Sequence, residues 1–181
     1  MTGKRALALL AAALVVLSAA GTGGSATDPW KQLRRPLHLP SLKSGRCPVT
    51  SAKLVTSGFS FAQGTGPVYP VNGYPRLTFP LLVKRGSVFY PSEWSGQKML
   101  WIAQPKFKGR VLVRGHEIGG INQVGFGAEH VPAGELHLDI RGGRGWWSAT
   151  TYTRVRTPGC YAFQIDGSTF SRVVVFRAKA F

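Results

Sequence analysis

From residue 47 onward, the chain alternates short apolar runs with clusters of glycine, proline and serine. Valine, isoleucine, threonine and aromatic residues dominate these runs, which is typical of β-strands, and no window after residue 26 keeps a helical apolar period. The candidate strands are residues 49–55, 77–83, 99–103, 110–114, 135–140, 147–155, 160–165 and 172–178. This spacing predicts an all-β fold, a two-sheet antiparallel sandwich, with a barrel as the alternative.

Two of these strands predict which side chains form the core. Residues 135–140 alternate strictly, so the apolar members should face inward, and the polar members, Glu135, His137 and Asp139, should face water. In the strand at 160–165, the apolar weight favours an inward row made of Tyr161, Phe163 and Ile165. Asp-Gly at residues 166–167, between two apolar runs, predicts a hairpin turn because both residue types reach positive φ at low cost.

The first 26 residues have the pattern of a secretory signal peptide. Lys4 and Arg5 precede an apolar run at residues 6–17, and small residues follow. The apolar stretch is too short and too rich in alanine for a spanning helix, so we expect cleavage, after either Ala20 or Ala26. The sequence therefore predicts a secreted protein, released or associated with the cell envelope, with no membrane span after signal removal.

Residues 27–46 differ in composition from the rest. Pro29, Pro36 and Pro40 argue against a helix, and basic residues are frequent, so we expect an extended basic arm. The leucines that could pack part of this arm onto the domain are Leu33, Leu37, Leu39 and Leu42. The chain thus divides into a signal peptide and small-residue spacer at 1–26, the arm at 27–46 and a β-sandwich domain at 47–181.

The chain has two cysteines, Cys47 and Cys160, which are 113 positions apart. Export would place them in an oxidising compartment, where an even pair predicts a disulfide. Neither has a second cysteine or a histidine at metal-ligand spacing. Because Cys160 falls on the outward face of its strand, the bridge should join the mouth of that strand to the arm rather than cross the centre of the sandwich.

Several elements also carry a resemblance. They are Trp94 with the run at 95–101, Thr-Pro-Gly-Cys-Tyr at 157–161, Asp-Gly at 166–167, the run at 171–176, Arg-Pro-Leu-His-Leu-Pro at 35–40 and Cys-Pro-Val at 47–49. In this order the chain resembles a group of uncharacterised bacterial secreted proteins with an immunoglobulin-like β-sandwich domain. The resemblance implies that fold and export, and it carries over no catalytic residue. Tyr161 directly follows Cys160, which departs from the antibody-type domain and argues against its central Cys–Trp–Cys signature, although Trp101 could still fill the core.

The charge balance favours anionic partners. The chain has 23 basic and 7 acidic residues, and loss of Lys4 and Arg5 with the signal leaves 21 against 7, a net charge of +14. An equally open alternative is a soluble basic surface with no partner. The candidate anion-binding residues are Arg34, Arg35, Lys106, Lys108, Arg110 and Arg114. Export makes nucleic acid an unexpected partner, so we expect anionic envelope polymer or another envelope protein.

Enzymatic chemistry finds little support in the sequence. A metal-assisted hydrolase, the alternative class, would use the weak metal candidates His116, His137 and Asp139, with His130 or Glu117 as further donors. The few acids do not indicate a glycosidase pair, and no serine lies in a nucleophile elbow. We therefore expect no enzyme and no cofactor.

Adjacent tryptophans at Trp146 and Trp147 could stack on sugar rings, with Arg141 and Arg144 nearby. In a strand the two rings point to opposite faces, so one should be in the core and one at the rim. The sequence thus predicts a non-enzymatic interaction module that binds anionic envelope polymer. A carbohydrate-binding module and a structural assembly subunit that pairs through a sheet edge remain open beside the hydrolase.

Overall fold

The β-rich pattern folds into two packed sheets. A computed structural model describes residues 27–71, 78–80 and 88–179, with 78–80 described in backbone only. The predicted signal peptide at 1–26 and most of the candidate strand at 77–83 lie outside the described residues. The described residues include no helix with the length and hydrophobicity that a membrane-spanning segment requires.

The strands, in chain order, are β1 (Ala52–Lys53), β2 (Ala62–Gln63), β3 (Val68–Val71), β4 (Thr78–Pro80), β5 (Ser95–Ala103), β6 (Gly109–Glu117), β7 (Gly125–Phe126), β8 (Leu136–Ile140), β9 (Trp147–Val155), β10 (Gly159–Gly167) and β11 (Ser171–Lys179). One sheet has the order β1-β2-β3-β5-β9-β7, and the other has the order β4-β11-β10-β6-β8. Strand β4 runs parallel to β11, and the other pairings between described strands are antiparallel. The prediction of an all-β two-sheet sandwich is confirmed.

The core lies between the sheets and follows the predicted alternation. Trp101 from β5 meets Phe163 from β10 edge to face, with ring centroids 5.4 Å apart, and Phe163 stacks on Phe176 from β11. The predicted inward row of β10 is fully buried, and the apolar residues of β8 pack against the same core. Burial of these rings and aliphatic side chains is the main stabilising term of the fold.

Two expectations about local structure need correction. The candidate strand at 49–55 is paired only at 52–53, because Thr50 instead exchanges hydrogen bonds with Val175 of β11 at 3.0 and 2.9 Å. The β10–β11 hairpin is confirmed, but Asp166 is a buried member of β10 that faces Ser171 in the register. Strands β2, β3 and β7 were not predicted, since each is short and β3 contains Pro70.

Arg154 is a buried cation in the six-stranded sheet. Arg154 of β9 donates to the Ser92 hydroxyl at 2.9 Å and to the Trp94 carbonyl at 2.7 Å, and its guanidinium lies 4.2 Å from the centre of the Phe89 ring. Burial lowers the pKa of Arg154. This arginine fastens the segment before β5 to the sheet and is fully buried, so it adds nothing to the exposed positive surface.

The predicted disulfide is confirmed between Cys47 and Cys160. Both cysteines are half-buried beside a small outer cluster that includes Ala162 and Val175, so the bridge lies outside the main core. It ties the end of the arm to β10 and closes a loop of 113 residues.

Replacing both cysteines with alanine should lower the free energy of unfolding by about 4–5 kcal/mol, because the open chain regains the entropy of that large loop. Urea denaturation of the oxidised wild type and the double variant measures the difference. A loss below about 1 kcal/mol would contradict the loop-entropy account and show that the bridge adds little constraint to the unfolded chain.

Candidate functional site

Two loops meet at one end of the sandwich. The turn at 104–108 joins β5 to β6, and the loop at 141–146 joins β8 to β9. The backbone N–H of Lys106 donates to the carbonyl of Gly143 at 2.9 Å and links them. Lys106 and Gly142 have φ values of 68° and 77°, so each loop reverses in the left-handed region. The Phe107 ring packs against Phe170 of the β10–β11 connection, which anchors the pair of loops to the core.

These two loops and the start of β6 present a group of exposed cations, which we call the basic end. Its members are Lys106, Lys108, Arg110, Arg141 and Arg144. No ion pair joins any of them to a carboxylate in the described part of the chain. Three of the six predicted anion-binding residues, Lys106, Lys108 and Arg110, therefore lie together with two arginines that the prediction placed beside the tryptophans.

All the carboxylates except Asp139 lie away from this end. Glu93, Glu117 and Glu129 lie at the opposite end of the strands, and Asp166 is fully buried. Asp28 and Glu135 contact Arg34, while Asp139 faces solvent on β8 opposite Arg110 in the register. Because electrostatic interactions weaken with distance, the five cations of the basic end, with Asp139 beside them, leave a net positive potential there.

The other three predicted anion-binding residues hold the arm against the outer face of the five-stranded sheet. Arg114 of β6 donates to the Asp166 carboxylate at 3.0 Å and to the backbone carbonyl of Arg35. Arg35 donates to the carbonyls of Phe170 at 2.7 Å and Gly167 at 2.9 Å. These two guanidinium groups are thus engaged in internal contacts that fix where the arm lies.

Gln164 of β10 completes this clamp. Its side-chain carbonyl accepts from the His38 backbone N–H at 2.7 Å, and its amide donates to the Pro36 carbonyl at 3.0 Å and to Asp166 at 2.9 Å. Sequence reasoning missed the role of both Gln164 and Asp166. The available signal was two polar residues on the outward row of a strand whose inward row is fully apolar. Of the arm's leucines, Leu33 is buried and Leu39 packs against the outer cluster that includes Ala162 and Val175, whereas Leu37 and Leu42 are exposed.

Arg34 holds the start of the arm against Glu135, the residue before β8. Its guanidinium donates to both carboxylate oxygens of Glu135, at 2.8 and 2.9 Å, and also contacts Asp28. The Arg34 hydrogen bonds, with a smaller contribution from His137, lower the pKa of Glu135. His137 lies 3.0 Å from Glu135 and stacks on Trp30, with ring centroids 4.2 Å apart.

The weak metal candidates do not converge. His137 contacts Glu135, while His116, at the far end of β6, contacts the backbone carbonyl of Glu117 through Nδ1 at 3.0 Å. Across the described residues, no group of three histidine, cysteine, aspartate or glutamate side chains could hold a metal ion. The geometry therefore offers no support for the metal-assisted hydrolase.

The adjacent tryptophans separate as expected. Trp147 packs against the main core, and Trp146 packs in a smaller cluster that includes Phe59 and Tyr69. Trp146 belongs to the loop that carries Arg144, so an aromatic ring borders the basic end.

Comparison with known proteins adds no family assignment: no protein-family model matches the chain, and no curated protein and no solved structure is significantly similar to it.

Asp166→Ala should destabilise the protein by about 3 kcal/mol, because it leaves Arg114 partly buried without its carboxylate partner. The exposed Asp139→Ala is the matched control and should change stability by less than about 0.5 kcal/mol. Urea denaturation gives both values, and hydrogen exchange at the His38 amide reports the arm. Equal, small losses in the two variants would contradict the clamp.

The Arg34–Glu135 pair should give a pH-dependent stability difference between wild type and Glu135→Gln. The folded-state pKa of Glu135 lies below its ordinary value of 4.5, so the stabilisation is complete above that value and is lost as the pH falls through the folded-state pKa. The difference should be below about 1 kcal/mol, because the pair is partly exposed. Denaturation between about pH 5 and pH 3 should show it shrinking, and a difference that grows on acidification would be the wrong sign.

Proposed function

We propose that this chain is a secreted, non-enzymatic β-sandwich module that binds an anionic polymer of the cell envelope through its basic end. The observation that carries the proposal is the grouping of five exposed cations on two hydrogen-bonded loops and the adjoining strand, without ion pairs to the described carboxylates. A cation without a carboxylate partner keeps its full attraction for an external anion.

The arrangement suits a polymer with repeated charges. The cations come from the β5–β6 turn, the start of β6 and the β8–β9 loop, so their charges are spread rather than focused on one point. The lysines are compact charges on flexible stems, and the arginines offer planar donor groups for carboxylate or phosphate oxygens. Several weak contacts along one flexible ligand then add up, provided that the ligand reaches all of them.

The predicted signal peptide and the resemblance to secreted bacterial proteins support a location outside the cytoplasm. The disulfide fits the same setting, since such bridges persist in oxidising compartments. In that location the abundant polyanions are phosphate-bearing or carboxylate-bearing envelope polymers, and nucleic acid is the less expected partner.

The double variant Lys106→Gln with Arg144→Gln should weaken binding to purified cell wall and to soluble polyphosphate roughly 30-fold at low salt. The estimate takes about 1 kcal/mol for each basic side chain near a polyanion. Equilibrium binding across a salt series measures it, and affinity should fall with rising salt, because exposed charges are screened.

The matched control is Lys43→Gln with Lys179→Gln, which removes the same charge from exposed positions at the other end of the molecule. It should change affinity much less than the basic-end variant. If the two double variants lose equal affinity, net charge rather than the basic end drives retention. Salt-independent or absent retention of the wild type would refute the electrostatic mechanism itself.

A further inference from the structure

Trp146 offers a ring at the surface rather than in the core. It lies directly before β9, and its partners on the outer face of the six-stranded sheet are Phe59 and Tyr69, with ring centroids 6.3 and 6.2 Å away. The residue is partly buried, so packing orients the indole while part of it stays accessible to solvent. Trp147, its neighbour, points to the main core.

Polar groups continue from this ring along the same face of the sheet. Side chains alternate along a strand, so Ser148 and Thr150 of β9 share the outward side with Trp146. Both are exposed. Gln104, at the end of β5, is also exposed, and its amide donates to the Tyr69 hydroxyl at 3.0 Å. Alternate residues of a strand are about 7 Å apart, so these groups form a row beside the ring.

The row is continuous with the basic end. Arg144 lies in the same loop as Trp146, and Gly143 of that loop accepts the hydrogen bond from Lys106. Gln104 and Lys106 belong to one turn, which the hydrogen bond from Phe107 N–H to the Gln104 carbonyl closes at 3.2 Å. A single ligand can therefore meet cations, an aromatic ring and neutral hydrogen-bonding groups without leaving this surface.

We propose that the bound polymer is an anionic polysaccharide, an inference that rests on the function proposed above. One of its sugar rings lies on Trp146, and its charged groups lie at the basic end. A sugar presents an apolar C–H face that packs on an indole, hydroxyls that pair with amides and other hydroxyls, and in acidic glycans a carboxylate or phosphate for lysine and arginine. The three kinds of group here match these three requirements.

The same surface suits single-stranded nucleic acid less well. Nucleic-acid binders of this kind stack successive bases on successive aromatic side chains. Along β9 the outward positions after Trp146 are Ser148 and Thr150, which offer hydroxyl groups, and then Tyr152, whose ring packs edge to face against Phe89 with ring centroids 5.1 Å apart. A glycan uses one ring and then hydrogen bonds, and this is the order of groups along the strand.

The test compares three polyanions at matched charge concentration and salt: polygalacturonate, polyphosphate and single-stranded DNA. Titration calorimetry should show the wild type binding polygalacturonate more tightly than polyphosphate. Trp146→Ala should weaken polygalacturonate binding about tenfold and change polyphosphate binding less than twofold, because only the sugar uses the ring.

Two further variants distinguish the loss of a sugar contact from a general loss of folding. Thr150→Val replaces an exposed hydroxyl with a methyl group of similar shape and should weaken polygalacturonate binding selectively, without disturbing the Trp146 cluster. Tyr90→Ala removes an aromatic side chain, 53% exposed, that precedes β5 at the other end of the strands, and it should leave all three affinities unchanged.

The outcomes separate the two proposals. If polyphosphate and polygalacturonate bind equally well and neither Trp146→Ala nor Thr150→Val has an effect, the sugar site is refuted while the anionic-polymer function stands. Tighter binding of DNA than of polygalacturonate, lost in Trp146→Ala, overturns the glycan in favour of a nucleic acid. If no polyanion binds, both proposals fail.

Discussion

The buried carboxylate of Asp166 is the constraint on which the arrangement of this molecule depends. It lies on the outward side of β10 but is fully buried, because Arg114, Gln164 and the arm close over it. A buried charge is tolerated only when it is paired and hydrogen-bonded, so the arm must stay in place for Asp166 to remain there. Through this one group the arm becomes part of the outer layer of the five-stranded sheet.

This constraint divides the arginines into two populations. Arg35 and Arg114 satisfy the clamp, and Arg154 is buried on the other sheet, so their charges are largely directed inward. The cations on the β5–β6 and β8–β9 loops have no such partner among the described residues. The net charge favours anionic ligands, and the positions of the acidic residues indicate where on the surface such ligands would bind.

The sequence was sufficient to predict the two-sheet architecture, but it was not sufficient to predict the clamp that Asp166, Arg114 and Gln164 form with the arm. Strict alternation in residues 135–140 and in Tyr161–Phe163–Ile165 identifies inward rows, because a strand has a fixed period of two. The function of Asp166 depends on Arg114 and on Arg35, which are 52 and 131 positions away along the chain, and no local pattern encodes such pairing.

The same limit explains why Arg34, Arg35 and Arg114 were predicted to bind anions. The sequence shows that these residues are arginines, but it does not show which carboxylates lie beside them in the fold. Lys106, Lys108 and Arg110 lie close together because they belong to one turn and the start of the strand after it.

The two faces of the sandwich consequently differ in what they can offer a ligand. The arm covers the outer face of the five-stranded sheet, with the Cys47–Cys160 bridge at one end and the Trp30–His137 stack toward the other. The outer face of the six-stranded sheet keeps Trp146, Ser148 and Thr150 accessible beside the cationic loops. Among the described residues, the exposed polar row beside the basic end is therefore on the sheet face that the arm does not cover. Displacing the arm would expose the buried Asp166 carboxylate and separate it from its hydrogen-bonding partners, so the clamp keeps the outer face of the five-stranded sheet covered.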